Sequence, residues 1–156
     1  MYIRILVSAL LGFLIGWDRE SKSKPAGLKT YMYVCVASTL ITLISIFSVE
    51  KFSSLTERMM MDPMRLAAQI VAGLGFLGAG VILKDGLQVK GLTSAAMILF
   101  AGGVGIGIGA GFYGIVTFTV VVSMLMAKIG NAVEKRKLLR SKAKLAEPEV
   151  VHHSSV

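Results

Sequence analysis

Acidic, basic and hydroxyl-bearing residues are concentrated where the long apolar runs of this sequence begin or end. If those runs cross a membrane, the charges at their ends lie at one level, where partial loss of water strengthens their pairing. A bound ion or a partner helix could then compete for the same groups. The alternative is a ring of boundary charges with a purely structural role. The predicted functional cluster consists of Asp18, Arg19, Glu20, Lys29, Thr30 and Asp85.

The apolar runs themselves lack the residues that catalysis would need. Both histidines, His152 and His153, lie in the terminal segment, so neither can act as a base for a serine in the membrane. The single cysteine, Cys35, excludes an intramolecular disulfide and a cysteine-based zinc cluster. No acidic residue lies centrally in a run, which disfavours a relay of carboxylates for protons or metal ions. We therefore expect a protein that is not an enzyme and has no cofactor.

Composition shows which solvent surrounds these runs. The chain has 156 residues, of which 54% are hydrophobic and 17% charged, and its mean hydropathy is +0.72. A soluble domain of this size cannot hide so much apolar surface, so we predict a membrane protein. The net charge of +8 comes from cations at the edges of the apolar runs and after Lys128. Anionic lipid headgroups are therefore the expected partner, and nucleic acid is not.

The apolar runs predict an all-α bundle of five transmembrane helices. The stretch from Leu92 to Ala127 would form one helix of about 54 Å, which exceeds a hydrocarbon core of roughly 30 Å. A turn around Gly109 to Gly111 therefore divides it into two spans. The predicted helices are Tyr2–Trp17, Tyr31–Val49, Leu66–Leu83, Leu92–Gly109 and Ala110–Ala127.

The distribution of lysine and arginine sets the predicted orientation. Five spans with the N-terminus outside and the C-terminus inside place 13 basic residues on the inner side and four on the outer side. A four-span arrangement gives a weaker asymmetry. We predict a membrane domain over residues 1–127 and a basic cytoplasmic tail over residues 128–156, partly disordered and in contact with anionic lipids.

Small residues recur at helical spacing in several of the runs. Lipid gives helices no hydrophobic reason to associate, so close approach through small residues supplies the contact. Rows on more than one span exceed what five helices need, which predicts a homo-oligomer, most simply a dimer. The residues predicted to pack helices together are Gly12, Gly16, Gly103, Gly107 and Gly111, and Gly105 and Gly109 form a second row in the fourth span.

The third predicted helix carries two further patterns. Asp62-Pro63 fits the N-cap and first position of a helix, with Arg65 and Gln69 stacked on one face below them. A helix cap, together with an arginine side chain that extends towards the membrane surface, is enough to explain these residues by structure alone. Farther along, Gly73, Gly75 and Gly78 match the G-x-G-x-x-G pattern of dinucleotide-binding sites. They lie within an apolar helix, however, and no acidic residue follows at the distance that such a site requires. Nucleotide binding is therefore not expected.

Taken in order and spacing, four segments closely resemble the MgtC/SapB family of bacterial inner-membrane proteins. They run from Gly12 to Glu20, from Pro25 to Thr30, from Asp62 to Ile82 and from Gly91 to Ala96. The resemblance covers Met1 to about Ala127. The resemblance implies that Gly27 and the predicted cluster residues Arg19, Glu20, Thr30 and Asp85 are motif positions of the family. The structural motif residues are Asp62, Arg65, Gln69, Gly73, Gly75, Gly78, Gly80 and Gly91.

The resemblance implies a regulator in adaptation to magnesium limitation or acid stress and in survival inside host cells, that is, in virulence. It also implies control of other membrane machines, including the F-type ATP synthase. Asp18 replaces an expected Glu, Leu99 stands where Trp is frequent, and the soluble ACT-like domain of longer members is absent from the sequence. The alternative function is a small oligomeric cation transporter or channel for Mg²⁺ or protons. Its path would use hydroxyls such as those of Ser38, Thr42 and Ser45. In the alternative, these hydroxyls hold the helices together by hydrogen bonds.

Overall fold

A computed structural model describes residues 1–20, 25–53 and 62–146 of the chain. Within these ranges the chain forms five α-helices and one two-stranded β-hairpin, so the predicted helical fold class is confirmed at that level. The predicted positions at residues 147–156, His152 and His153 among them, lie outside the described residues. The helices are α1 (Tyr2–Glu20), α2 (Leu28–Ser53), α3 (Arg65–Val81), α4 (Leu92–Ala110) and α5 (Tyr113–Ala146), and the strands are β1 (Leu83–Asp85) and β2 (Gln88–Lys90).

Three segments are long and apolar enough to cross a membrane: Leu28–Phe52 in α2, all of α4 and Tyr113–Val133 in α5. The helix α3 is apolar but has only 17 residues, and α1 has 19 residues with charged residues near both ends. The structure therefore shows a helical membrane protein with three candidate spans. The count of five spans remains a prediction.

The third helix ends earlier than predicted. We expected it to reach Leu83, but the backbone becomes extended at Ile82, with φ −84° and ψ 117°. The chain then enters β1, which pairs with β2 in antiparallel register from Leu83 opposite Lys90 to Asp85 opposite Gln88. The sequence held a signal for this hairpin, because a glycine at the first of two turn residues favours a tight hairpin turn. That residue is Gly86, with φ +60°.

The predicted turn between the fourth and fifth helices is confirmed. Gly111 adopts φ +88° directly after α4, and the N–H of Phe112 donates to the carbonyl of Gly107 at 2.8 Å. This geometry is a common way to end a helix, because the left-handed residue brings the next N–H groups back to the last carbonyls. It limits α4 to 19 residues, or about 28 Å, which suits one membrane crossing.

The chain divides into two compact units, Met1–Val116 and Thr117–Val156. In the first unit α2 packs against both α1 and α4, and α3 packs mainly against α4. The described part of the second unit is the continuation of α5, which remains helical through Ala146. The helix thus continues beyond the predicted boundary between residues 127 and 128.

Glycines set the close approach of α1 and α4 to α2. A Cβ added to Gly12 would lie 2.8 Å from the Cα of Met32, and one added to Gly16 would lie 2.6 Å from the Cα of Leu28. On the other side, Gly105 and Gly109 lie directly against the α2 backbone. Any side chain at these four positions would push a neighbouring helix away.

The other predicted glycine row in α4 is placed differently. Gly103 has nothing within 4 Å of an added Cβ, so it lies open. Gly107 lies against the side chain of Val116 from the start of α5, and Gly111 belongs to the turn. The contact between α2 and α4 is therefore made by the row of Gly105 and Gly109 rather than by the row of Gly103.

Candidate functional site

Three helix ends meet in a buried polar site formed by Arg19, Tyr31 and Ser94. Arg19 lies in the last turn of α1, Tyr31 near the start of α2 and Ser94 in the first turn of α4. Their exposed fractions are 8%, 0% and 2% respectively. We call these three residues the helix-end site. It contains one predicted cluster residue, Arg19, together with two residues that the sequence analysis missed.

The burial of Arg19 follows from its spacing in α1. The buried residues of α1 are Ser8, Gly12, Ile15, Gly16 and Arg19, which form one stripe at the helical period. Because the glycines bring α2 within van der Waals contact, a side chain at the end of the same stripe is carried into the interface. Arg19 is therefore held between helices, unlike an arginine that snorkels into solvent.

Two polar atoms of the helix-end site have no hydrogen-bond partner within the described ranges. They are Nε of Arg19 and the hydroxyl oxygen of Tyr31, both buried. The Tyr31 hydroxyl lies near the side chain of Ser94 and near the positive charge of Arg19. It makes a hydrogen bond of acceptable geometry with neither of them. Buried polar groups in folded proteins nearly always have partners, so two such atoms together mark a site with unused binding capacity.

Glu20 has a different position at the same end of the bundle. Its Oε2 accepts a hydrogen bond of 2.7 Å from the backbone N–H of Leu28, the first residue of α2. A negative charge there is stabilised by the helix dipole and satisfies one of the free N–H groups of the first turn. The absence of a side chain at Gly27 makes the contact possible, because an added Cβ would lie 2.5 Å from Oε2. Glu20 and Gly27 thus act together as the cap of α2.

The remaining cluster residues are exposed. Asp18 lies in the last turn of α1 beside Arg19, and Lys29 and Thr30 lie in the first turn of α2. Asp85 belongs to β1 and forms an ion pair of 2.8 Å with Lys90 across the hairpin. The structure therefore brings five of the six predicted residues to the junction of α1 and α2, whereas Asp85 pairs with Lys90 within the hairpin.

Asp62 precedes α3 without being its N-cap, so that prediction is wrong. The helix begins at Arg65 and the N-cap position is Met64, which makes no side-chain cap. The Oδ1 of Asp62 instead accepts a hydrogen bond of 2.8 Å from the N–H of Met64, which fixes the turn ahead of the helix. Pro63 lies in that turn, so the helix starts two residues later than the Asp62-Pro63 pattern suggested and one residue before the predicted bound at Leu66.

The motif residues of α3 divide between a packed and an open face. Gly78 faces Ala95 of α4, with an added Cβ 3.5 Å from its side chain, and Leu74 fills the space above Gly102. Gly73, Gly75 and Gly80 have nothing within 4 Å of an added Cβ. Arg65 and Gln69 are exposed, as is most of the helix.

A groove of about 480 Å³ lies between α2 and α3. Its walls are almost entirely apolar, and Ser38 and Gln69 are among the few polar residues that line it. Near one end, the N–H of Leu66 donates to Oγ of Ser45 at 3.4 Å, which links the start of α3 to α2. The groove is open, so lipid chains or an apolar helix could occupy it.

The opposite end of the bundle is held by a residue outside every predicted set. Nη1 of Arg4 donates to the carbonyl of Gly109 at 2.8 Å, and its guanidinium lies 5.9 Å from the centre of the Tyr113 ring. This contact joins the start of α1 to the turn between α4 and α5. The only sign of this contact in the sequence is the position of Arg4, near the start of an apolar run.

Comparison with known proteins gives consistent matches. The MgtC family matches residues 5–136. An uncharacterized protein of Haemophilus influenzae is 40% identical over 92% of this chain and 62% of its own length. Protein SapB of Bacillus subtilis is 47% identical over 71% of this chain and 48% of its own length.

Two further matches carry names connected with the same family or with magnesium. The putative magnesium transporter YhiD of Escherichia coli is 35% identical over 81% of this chain and 59% of its own length. Protein MgtC of Brucella abortus is 36% identical over 84% of this chain and 53% of its own length. The chain thus spans about half to three fifths of the length of these relatives. No solved structure matches.

Proposed function

Because this chain belongs to the MgtC family of membrane proteins, we propose that it is a regulator in the bacterial inner membrane. It supports adaptation to magnesium limitation, acid stress or growth inside host cells, and it acts by binding a membrane partner. The F-type ATP synthase is one such candidate partner. In this proposal the chain crosses the membrane five times and its C-terminus is inside, where the basic end of α5 meets anionic lipids.

The observation that carries this proposal is the packing between α2 and α4. The hydroxyl of Thr39 donates to the carbonyl of Gly105 at 2.8 Å, and Sγ of Cys35 donates to the carbonyl of Ala101 at 3.1 Å. The hydroxyl of Thr42 donates to Ser38 within α2 at 2.8 Å. Their hydrogen atoms are therefore engaged with backbone carbonyls. Thr39 and Cys35 thus join α2 to α4, and polar side chains that are bonded in this way are not available to line a water-filled path.

The surfaces left for binding lie outside that packed interface. The junction of α1 and α2 offers the exposed residues Asp18, Lys29 and Thr30 at one membrane level, and the exposed face of α3 offers small and apolar residues beside the groove. A partner that combines a transmembrane helix with a polar group at its end fits both features. A second copy of this chain meets the same description, which agrees with the predicted homodimer.

A cation transporter or channel remains the second candidate function. The name of the Escherichia coli relative, putative magnesium transporter YhiD, is the observation in its favour. Since Thr39 and Cys35 are bonded across the interface of α2 and α4, a path for Mg²⁺ or protons would have to run elsewhere, such as between copies. The two candidates therefore differ in whether the purified protein moves ions.

The experiment that separates them combines ion flux and growth. Liposomes that contain the purified chain and a Mg²⁺-sensitive dye should show no Mg²⁺ entry above that of empty liposomes. The same chain should restore growth at low Mg²⁺ to a bacterium that lacks its own MgtC family gene. Entry of Mg²⁺ in proportion to the amount of protein would reject the regulator and support the transporter.

A pair of hairpin variants tests where the function resides. Asp85→Asn and Lys90→Gln remove the same exposed ion pair, which contributes at most about 1 kcal/mol to stability. If Asp85 belongs to the functional cluster, Asp85→Asn should abolish growth at low Mg²⁺ at a normal protein level, whereas Lys90→Gln should stay active. A well-expressed and active Asp85→Asn variant would remove that residue from the cluster.

A further inference from the structure

We propose that the helix-end site binds an oxyanion of the phosphate type. Arg19, Tyr31 and Ser94 are its binding residues, and the first turn of α4 contributes backbone N–H groups. The inference is independent of the proposed regulatory function, because it rests on hydrogen-bond donors that the described structure leaves unused. It would hold equally for a transporter.

Three side-chain donors meet in this site. Nε of Arg19 and the hydroxyl of Tyr31 are buried without a partner among the described residues, and the Ser94 hydroxyl lies beside that of Tyr31. Arg19 also carries a positive charge, although the residue is only 8% exposed. A buried charge with an unused donor is stabilised by an anion that accepts the hydrogen bond. A phosphate group offers several acceptor oxygens in different directions, so one group can serve more than one donor.

The two helix starts at this end of the bundle differ in a way that favours the same ligand. The start of α2 is already occupied by the carboxylate of Glu20. The start of α4 follows Gly91, which has no side chain and makes no cap. Gly91 therefore offers no side-chain acceptor to the first N–H groups of α4, in the turn that also carries Ser94. Helix N-termini of this kind bind phosphate and carboxylate groups, and the capped α2 shows an oxyanion in the equivalent place.

The carboxylates of Glu20 and Asp85 do not take this role, because each is bonded elsewhere. Oε2 of Glu20 is bonded to Leu28, and Oδ2 of Asp85 is bonded to Lys90 at 2.8 Å. The site lies at the ends of α1, α2 and α4, the level at which phospholipid headgroups are found if these helices cross the membrane. The phosphate group can therefore come from an anionic lipid or from free phosphate. Lys29, exposed in the first turn of α2, adds positive charge that attracts either source.

The test uses the full-length protein, stripped of lipid in a neutral detergent. One series adds inorganic phosphate at constant ionic strength. A second series adds short-chain phosphatidylglycerol, with the matching diacylglycerol, which lacks phosphate, as its control. The thermal unfolding temperature is measured at each concentration, and the apparent Kd is taken from its rise.

The variants are chosen as matched pairs. Arg19→Gln and Tyr31→Phe remove donors of the site, whereas Arg65→Gln and Tyr33→Phe change exposed residues of the same types elsewhere. Arg19→Gln should raise the apparent Kd about ten-fold or more, since a hydrogen bond to a charged group is lost. Tyr31→Phe should raise it about three-fold or more, and both controls should stay within about two-fold of wild type.

A measurement without ligand separates binding from a structural role. Tyr31→Phe removes a buried hydroxyl that has no partner, so its unfolding temperature should equal or exceed that of wild type. A rise with phosphatidylglycerol alone identifies a lipid headgroup, a rise with inorganic phosphate alone identifies the free ion, and either supports the site. The proposal is overturned if neither probe raises the unfolding temperature, if the control variants lose as much affinity, or if Tyr31→Phe unfolds earlier without ligand.

Discussion

Valine at position 105 should remove most of the folded protein, whereas valine at position 103 should leave the fold intact. A Cβ at Gly105 would overlap the carbonyl oxygen of Cys35 and lie 2.8 Å from the Cβ of Ser38. At Gly103 the same atom meets nothing within 4 Å. The two positions share one helix, so helix propensity cancels in the comparison. We expect a loss of about 3 kcal/mol in the free energy of unfolding for Gly105→Val, since the obstacle is backbone.

The hydrogen bond from Thr39 to the Gly105 carbonyl makes that loss larger. Its geometry requires α2 and α4 to stay at their present separation, and a neutral hydrogen bond contributes about 1 kcal/mol. Size-exclusion chromatography and thermal unfolding in a neutral detergent measure the effect for both variants. Equal stability of Gly105→Val and Gly103→Val would contradict the described contact between these helices. A folded but monomeric Gly103→Val, from a dimeric wild type, would place the dimer interface at Gly103.

Alanine at position 91 should destabilise the protein far more than alanine at position 86. Both glycines have positive φ, +90° and +60°, so each substitution costs about 1–2 kcal/mol in backbone conformation. At Gly91 the added Cβ would also overlap the carbonyl oxygen of Val81 at the end of α3, whereas Gly86 has open space. The overlap forces the end of α3 away from the start of α4, which adds about 2 kcal/mol or more.

Thermal unfolding in detergent measures this second pair. Gly86→Asn serves as a further control, because asparagine tolerates the left-handed conformation better than alanine. We expect the unfolding temperature to fall in the order wild type, Gly86→Asn, Gly86→Ala and Gly91→Ala. A Gly91→Ala variant as stable as Gly86→Ala would show that the joint between α3 and α4 can open without loss.

The sequence by itself determined the features that depend on local chemistry. Long apolar runs separated by charged residues predicted helices in a membrane, and their total length required a break near Gly111, where the structure has a turn. Motif order predicted the family, and the family match confirms it. These inferences succeed because the bilayer fixes the length of a span and because backbone hydrogen bonds in lipid have to be satisfied within the helix.

Only the tertiary structure decided which of several similar residues make contact. Gly103 and Gly105 cannot be told apart by spacing, and Tyr31 carried no signal that set it apart from Tyr33. In a soluble protein the apolar face of a helix is the buried one, so the pattern reveals the core. In lipid both faces are apolar, and association depends on close backbone approach and on hydrogen bonds between helices. The burial of Arg19 and Tyr31 and the contacts of Gly105 therefore follow from how the helices pack, which the one-dimensional pattern does not encode.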